Sequence, residues 1–324
     1  MRYEIKILTF NTWHGLDYRH PYLMLPIQGF KKTVERYRSQ NQALRAVFGH
    51  DKPRRGVLNL CCLQELNPLK ARLKTLKGLL NAHGHGAVAN AGIRAGYLGI
   101  PLFLNEGIAT FFRGKLENAK WSSRVLSGKG RRVRGPFGVP LFFQLEERRV
   151  ALKLRGTFGG LRIAMIQAHL HAGPDTSPKP DSADGAPAPA TERRAAEILR
   201  LAEWVRPELD RCDLVFIAGD FNNDPDSAET APLRALGFES PSREFTWCPD
   251  ENPLCHFPAG GTRTPTDVAW DQARHRFDRI YLWRKPGVID DTSWECKIQR
   301  VLDQGGLSDH FGLMAEISFE KALL

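Results

Sequence analysis

Long apolar runs are what this chain most plainly lacks. No stretch of its 324 residues approaches the run of about eighteen apolar residues that a membrane-spanning helix needs. The first nine, "MRYEIKILT", alternate as a strand does and do not form the apolar segment of an export signal. A cytoplasmic location is the expectation. Cysteine is scarce as well: the six are Cys61, Cys62, Cys212, Cys248, Cys255 and Cys296. Two are adjacent inside "VLNLCCLQE", where a disulfide framework makes little sense, so reduced thiols are expected. "CPDENPLCH" offers Cys248, Cys255 and His256 to zinc, but the spacing matches no common finger and no second pair accompanies it. Acidic charge falls short of basic: 46 Lys and Arg against 36 Asp and Glu leave a formal +10. That surplus favours polyanionic partners, nucleic acid or an acidic lipid surface, and says nothing about fold. Two catalytic signatures are missing. "GKG" at 128–130 lacks the Gly-x-x-x-x-Gly-Lys-Ser/Thr spacing of a phosphate loop, and "GLSDHFG" lacks the Gly-x-Ser-x-Gly elbow of a serine hydrolase.

What is present is an ordinary globular composition, 42% hydrophobic and 25% charged. Strand-like runs fall at Tyr3–Asn11, Val57–Leu63, Gly107–Phe112, Val150–Leu154, Leu161–His169, Leu214–Gly219, Phe277–Trp283 and Gly312–Phe319. Helical spacing links Phe30, Val34, Tyr37, Leu44, Val47 and Phe48, then Leu69, Leu73, Leu76 and Leu80, then Ala195, Ile198, Leu199, Ala202 and Val205. "GPDTSPKPDSADGAPAPA", 173–190, cannot bury a core and reads as a flexible loop. "RVLSGKGRRVRG", Arg124–Gly135, reads as a mobile basic loop suited either to phosphates or to solvent. No internal repeat stands out, and strand signals continue on both sides of the Pro/Ala-rich loop. One domain over 1–324 is expected, strands dominating and helices covering sheet faces.

Five strand-like runs end or begin on groups able to ligate a metal or move a proton: Asn11, Glu65, His169, Asp220 with Asn222, and Asp309 with His310. Strand ends are where a rigid scaffold presents reactive groups. Carboxylate and amide oxygens suit a hard cation, magnesium or manganese, better than zinc. Magnesium is held by one or two carboxylates together with substrate phosphate, so the donor set implies a phosphorylated substrate. With no serine or cysteine arrangement, water is the expected nucleophile. An Asp takes its proton, His residues stabilise charge on the phosphoryl oxygens, and the ion helps neutralise charge developing toward the leaving oxygen.

In order along the chain, Asn11, "QE" (Gln64, Glu65), "EG" (Glu106, Gly107), His169, "GDFN" (Asp220, Asn222), "RFDRI" (Asp278) and "SDH" (Asp309, His310) resemble the exonuclease, endonuclease and phosphatase superfamily. That superfamily includes deoxyribonuclease I, abasic-site endonucleases, neutral sphingomyelinases and 5′-tyrosyl-DNA phosphodiesterases. The resemblance implies an α/β (α+β) four-layer sandwich, two packed mixed β-sheets flanked by helices. It further implies that Glu65, with Asn11 and Asp309, holds a divalent ion, Mg2+ or Mn2+, and that Asp220 and Asn222 position and deprotonate the attacking water. His310 would sit against the scissile phosphate, oriented by Asp278, and His169 would contact a phosphate oxygen, oriented by Glu106.

A metal-dependent phosphodiester hydrolase is therefore expected, leaning toward a nucleic acid substrate, with no protein partner expected. "RFDRIYLW" and "SDHFGL" are similar to the tyrosyl-DNA phosphodiesterase pattern, and the basic stretch fits a nucleic-acid backbone, which together favour DNA or RNA. "HLHAG" at 169–173 is similar to neutral sphingomyelinases, and the apolar "YLMLPI" at 22–27 would allow contact with an acidic membrane surface, so a phospholipid is the alternative substrate. His171, two residues past His169, is expected on the same strand face, as a substrate contact or as a buried hydrogen-bonded residue. Trp13, His14 and Trp247 are pocket or core aromatics. The reading of another class is a basic nucleic-acid or membrane binding module with a dead site; against it, Glu65, Asp220, Asp309, His169 and His310 are all present. An inositol phosphatase ranks lower, because "RFDRI" departs from the "WCDR" of that variant.

Overall fold

In the computed structural model the described residues are 2–12, 30–49, 54–90, 106–128, 130–134, 140–144, 148–172, 190–252, 254, 273–303 and 307–320. The chain runs β1 (Arg2–Asn11), α1 (Phe30–Phe48), β2 (Val57–Leu66), α2 (Leu69–Leu79), β3 (His83–Asn90), β4 (Glu106–Arg113), β5 (Glu117–Ser127), β6 (Gly130–Arg134), β7 (Pro140–Gln144), β8 (Arg149–Phe158) and β9 (Leu161–His169). It continues through α3 (Ala190–Arg211), β10 (Leu214–Asp220), α4 (Ala231–Ala235), β11 (Asp278–Arg284), β12 (Glu295–Val301) and β13 (Gly312–Glu320). A six-stranded sheet has the order β12-β13-β1-β2-β4-β3, a five-stranded sheet the order β11-β10-β9-β8-β5, and β6 pairs β7 alone. Both large sheets are mixed: β1 runs parallel to β2 and β9 parallel to β10, and the other pairs are antiparallel.

The greasy character of the central strands follows from burial on both faces. Because side chains alternate, Ile5 and Ile7 of β1 and Phe216 and Ala218 of β10 meet in the core between the sheets. The intervening Leu8 and Phe10 pack outward with Leu44 and Phe48 of α1 and Leu69 and Leu76 of α2. On the opposite side Val215 and Ile217 pack outward with Ile198, Leu201 and Val205 of α3. Helix, sheet, sheet, helix is the four-layer sandwich that the sequence leads one to expect. Each fully buried Leu, Ile or Phe contributes about 1.5–3 kcal/mol, so the strands are held from two sides. Cys61 and Cys62 illustrate the alternation, one in the outer core and the other in the inner core. None of the five described cysteines forms a disulfide, and burial pushes the Cys62 thiol up to about 12.

Three sequence readings change. The strands β3, β5, β6, β7 and β12 have no counterpart among the expected runs. β5, "ENAKWSSRVLS", is mostly exposed along its length and pairs only with β8, so no core imposed an apolar alternation on it. The stretch Arg124–Gly135 is not a loop throughout: Arg124 lies in β5, and Arg131, Arg132 and Arg134 lie in β6, paired to β7. The backbone ladder, which is blind to side-chain charge, decided this. Ala190, read as the end of the Pro/Ala-rich loop, begins α3. Residues 173–189, "YLMLPI", Trp13, His14, Cys255 and His256 lie outside the described residues. Among the described residues no helix is long and apolar enough to cross a membrane.

Candidate active site

Alternation and register place the site. In the five-stranded sheet Asp220 pairs with His169 on one side and Asp278 on the other. Residues level with one another in adjacent strands share a face. That face is the inner one, since Phe216 and Ala218 precede Asp220 at even spacing. Asn11 ends β1 two residues beyond Thr9 on the inner face of the other sheet. Its Nδ2 donates to Asp220 Oδ2 at 2.9 Å and to Glu65 Oε1 at 3.2 Å, bridging the two sheets. Beneath lies a buried layer of amides and hydroxyls. Thr110 donates to Gln167 (2.6 Å), Gln167 to the Leu63 carbonyl (2.7 Å), and Gln64 to Thr9 (3.1 Å). The inter-sheet core thus grades from hydrocarbon through neutral polar groups to charge at the carboxyl ends of β1, β2, β9 and β10.

Local backbone departures aim the ligands. By strict alternation Glu65 would follow Leu63 to the outer face, but β2 slips register between Leu63 and Leu66, and Glu65 has φ 54°. The irregularity re-aims a side chain next to a site, a recurrent use of bulges. Asn222 takes φ 50°, tolerated by a short polar side chain. Its backbone N–H donates to Asp220 Oδ1 (2.9 Å) and its Nδ2 to the Leu170 carbonyl (3.1 Å), which fixes the carboxylate and ties the two loops together. Gly219 has φ +148°, and a Cβ there would lie 1.8 Å from the Ala168 carbonyl oxygen. Only glycine lets β10 lie this close to β9 at the row next to the one that carries Asp220.

His310 Nδ1 lies 2.7 Å from Asp278 Oδ2, and its Nε2 lies 3.8 Å from Asp220 Oδ2. Trp247 packs on the imidazole edge-on with ring centroids 5.3 Å apart. Trp247 is thus a wall of the site and a core aromatic at once. Burial opposes charge on His310, but Asp278 and Asp220 outweigh it and hold the imidazole well above its ordinary range. Burial, with Asp278 adding and His310 opposing, pushes Asp220 up to about 6. Asp309 rises to about 7, chiefly through burial, with Glu65 and Asp220 adding and His310 opposing. Ser308, which the sequence reading passed over, donates to the Asn11 carbonyl (2.6 Å) and to Asp309 Oδ1 (3.1 Å).

His169 Nε2 stands 3.7 Å from both Glu65 Oε1 and Asp220 Oδ2. These spacings exceed a hydrogen bond and are of the kind that tighten when substrate binds. Arg149, a second residue missed from sequence, is buried with Nη1 3.2 Å from both imidazole nitrogens of His169. Its signal was there: it is the charged first residue of an apolar strand, the same handoff seen at the other five ends. Glu106 is buried at the start of β4, level with Asn90 and beside the end of β2. His171 is corrected: β9 ends at His169, and the His171 backbone N–H donates to Glu197 Oε2 (2.8 Å), so strand alternation does not govern it.

A hard divalent cation fits these residues. Glu65 and Asp309 present oxygen donors at one strand-end cluster, and the mutual repulsion of buried carboxylates is what such an ion relieves. Among the described residues no three acidic, His or Cys side chains form a cage, but magnesium requires only one or two carboxylates with water and substrate oxygens.

The Endonuclease/Exonuclease/phosphatase family model matches residues 8–310, a span that takes in every site residue from Asn11 to His310. The chain belongs to the endonuclease/exonuclease/phosphatase family. Members of this family are generally hydrolases of phosphoester bonds and typically use divalent metal ions. No curated protein sequence matches the chain. Among solved structures, truncated Caenorhabditis elegans TDP2 is 18% identical with a TM-score of 0.54, covering 98% of both chains. D. rerio TDP2 complexed with single strand DNA product is 18% identical with a TM-score of 0.50, covering 97% of this chain and 98% of that one. The human nocturnin catalytic domain with bound sulfate is 15% identical with a TM-score of 0.55, covering 98% and 94%. At these identities the likeness is one of fold.

Proposed function

We propose that this family member hydrolyses phosphodiester bonds in nucleic acid, with Mg2+ or Mn2+ and a water nucleophile, in the cytoplasm. The observation that carries the reading is the level row His169, Asp220, Asp278, joined through Asn11 to Glu65 across the two sheets. Glu65 and Asp309, with Asn11, would hold the ion, which would supply Lewis-acid polarisation of a phosphoryl oxygen. Asp220 takes the proton from water; a carboxylate raised to about 6 is a stronger base near neutral pH than an ordinary one. Asn222 keeps Asp220 oriented through its N–H. His310, held protonated by Asp278, faces the charge that builds on the phosphoryl oxygens. His169, with Arg149 against its ring, contacts a phosphate oxygen, and Glu106 orients it.

The nucleic acid substrate is supported by the +10 charge and by a structural neighbour that holds single strand DNA product. The test is hydrolysis at neutral pH, with the divalent ion and then with chelator, on supercoiled plasmid and on sphingomyelin vesicles in parallel. Nicking that chelator abolishes is expected. Choline phosphate release with intact plasmid would reassign the substrate to lipid, and ion-independent or absent hydrolysis of both would refute the reading.

A further inference from the structure

Gln40 lies in the middle of α1, a helix whose sequence reads only as an amphipathic core element, yet its side chain is fully buried. A buried amide in a helix facing an apolar sheet needs a reason. Its Nε2 donates to two backbone carbonyls from distant parts of the chain, Thr12 at 3.0 Å and Leu307 at 2.6 Å. Thr12 follows Asn11, and Leu307 lies two residues before Asp309. The Thr12 hydroxyl in turn donates to the carbonyls of Gln64 (2.8 Å) and Glu65 (3.1 Å). The Gln40 amide ties the Asn11 segment to the Asp309 segment, and the Thr12 hydroxyl adds the segment that carries Glu65.

The amide is itself oriented. Arg72 of α2 donates from Nη2 to Gln40 Oε1 (3.1 Å), which leaves the NH2 group facing the two carbonyls. Arg72 is buried with its guanidinium 4.0 Å from the centre of the Tyr37 ring. Although burial lowers it to about 10, it remains a cation at neutral pH. The donor that fixes the amide is thus permanent across the working range.

We infer that Gln40 is a positioning residue of the metal site, setting the spacing between the Asn11 and Asp309 segments through the Thr12 and Leu307 carbonyls, with Arg72 orienting its amide. The inference rests on the proposed ion-binding role of Glu65, Asn11 and Asp309. Groups that orient metal ligands through the outer shell change metal affinity by about 10–100-fold when removed.

The test is the Mn2+ dissociation constant, read from the electron paramagnetic resonance signal of free Mn2+, for the full chain and its variants. Gln40→Met keeps the side-chain length and removes both donors. Gln40→Asn keeps a buried amide that is one methylene too short to reach both carbonyls. Both are expected to weaken Mn2+ binding by about 10-fold or more, with turnover recovering as Mn2+ is raised to saturation. Lys153→Met is the control. It removes a buried donor to Glu208 (2.7 Å) far from the site and leaves Arg155 beside that carboxylate. It should lower the melting temperature without moving the Mn2+ constant. Wild-type Mn2+ affinity in both Gln40 variants, or equal weakening in the control, overturns the proposal, as does a wild-type protein that takes up no Mn2+. Weakened binding in the Gln40 variants of a protein that hydrolyses neither plasmid nor sphingomyelin would uphold the positioning role and refute the proposed function.

Discussion

Replacing Asp278 with asparagine tests the electrostatic core of the site. Asp278 and His310 are both buried, with their hydrogen-bonded atoms 2.7 Å apart. The amide introduced by Asp278→Asn would be nearly isosteric with the carboxylate but neutral. Two unit charges about 4 Å apart interact by roughly 4 kcal/mol at an effective dielectric of 20, an upper figure for the lost attraction. The difference between a charge-assisted and a neutral hydrogen bond gives a lower figure of about 1 kcal/mol. Without the Asp278 charge, His310 should move down toward its ordinary range, where its proton is held less firmly. A neutral imidazole offers the phosphoryl oxygens far less, and loss of one such donor typically costs about 10²–10³ in kcat. The assay is kcat against pH for wild type and Asp278→Asn, with NMR titration of the His310 ring proton. Wild-type His310 should stay protonated through neutral pH, while the variant should titrate lower and regain part of its rate toward acid. An unchanged titration, or a wild-type rate at pH 7, would refute the assignment of His310 as the charged group facing phosphate.

Asp220→Ala should lose at least two to three orders of magnitude in rate, about 3–4 kcal/mol of transition-state stabilisation, and still fold; turnover close to wild type would remove Asp220 from the mechanism. The metal-free protein should be more stable at pH 5.5 than at pH 8. Asp220, Asp309 and His310 all have raised folded values, so the folded state binds more protons than the unfolded one from about pH 4 upward, and stability falls as pH rises through about 6 to 7 and beyond. A divalent ion, which needs ionised carboxylates, should therefore raise the melting temperature more at pH 8 than at pH 5.5; calorimetry showing the reverse order would contradict the placement of the ion. Gly219→Ala should abolish folding or lower the melting temperature sharply, since its Cβ has no room against the Ala168 carbonyl; circular dichroism showing a wild-type melt would mean β10 can move away from β9 without loss.

The chain by itself determined the double-sided strands, the three long helices and the polar residues at the strand ends. Apolar runs such as Leu214–Ala218 are readable because burial on both faces demands them, and Asp220 stands out because it breaks such a run. The tertiary structure alone decided what those ends meet. That His169, Asp220 and Asp278 stand level is a matter of register between strands far apart in sequence. That Glu65 faces inward depends on a slip in β2 that alternation argues against. Exposed β5 carried no periodic signal because solvent places no demand on side-chain alternation. Gln40 was silent for a different reason: a buried polar side chain is explained only by its partners, and those of Gln40 lie on distant segments of the chain. Local pattern records which residues must leave water, whereas packing alone sets which of them meet.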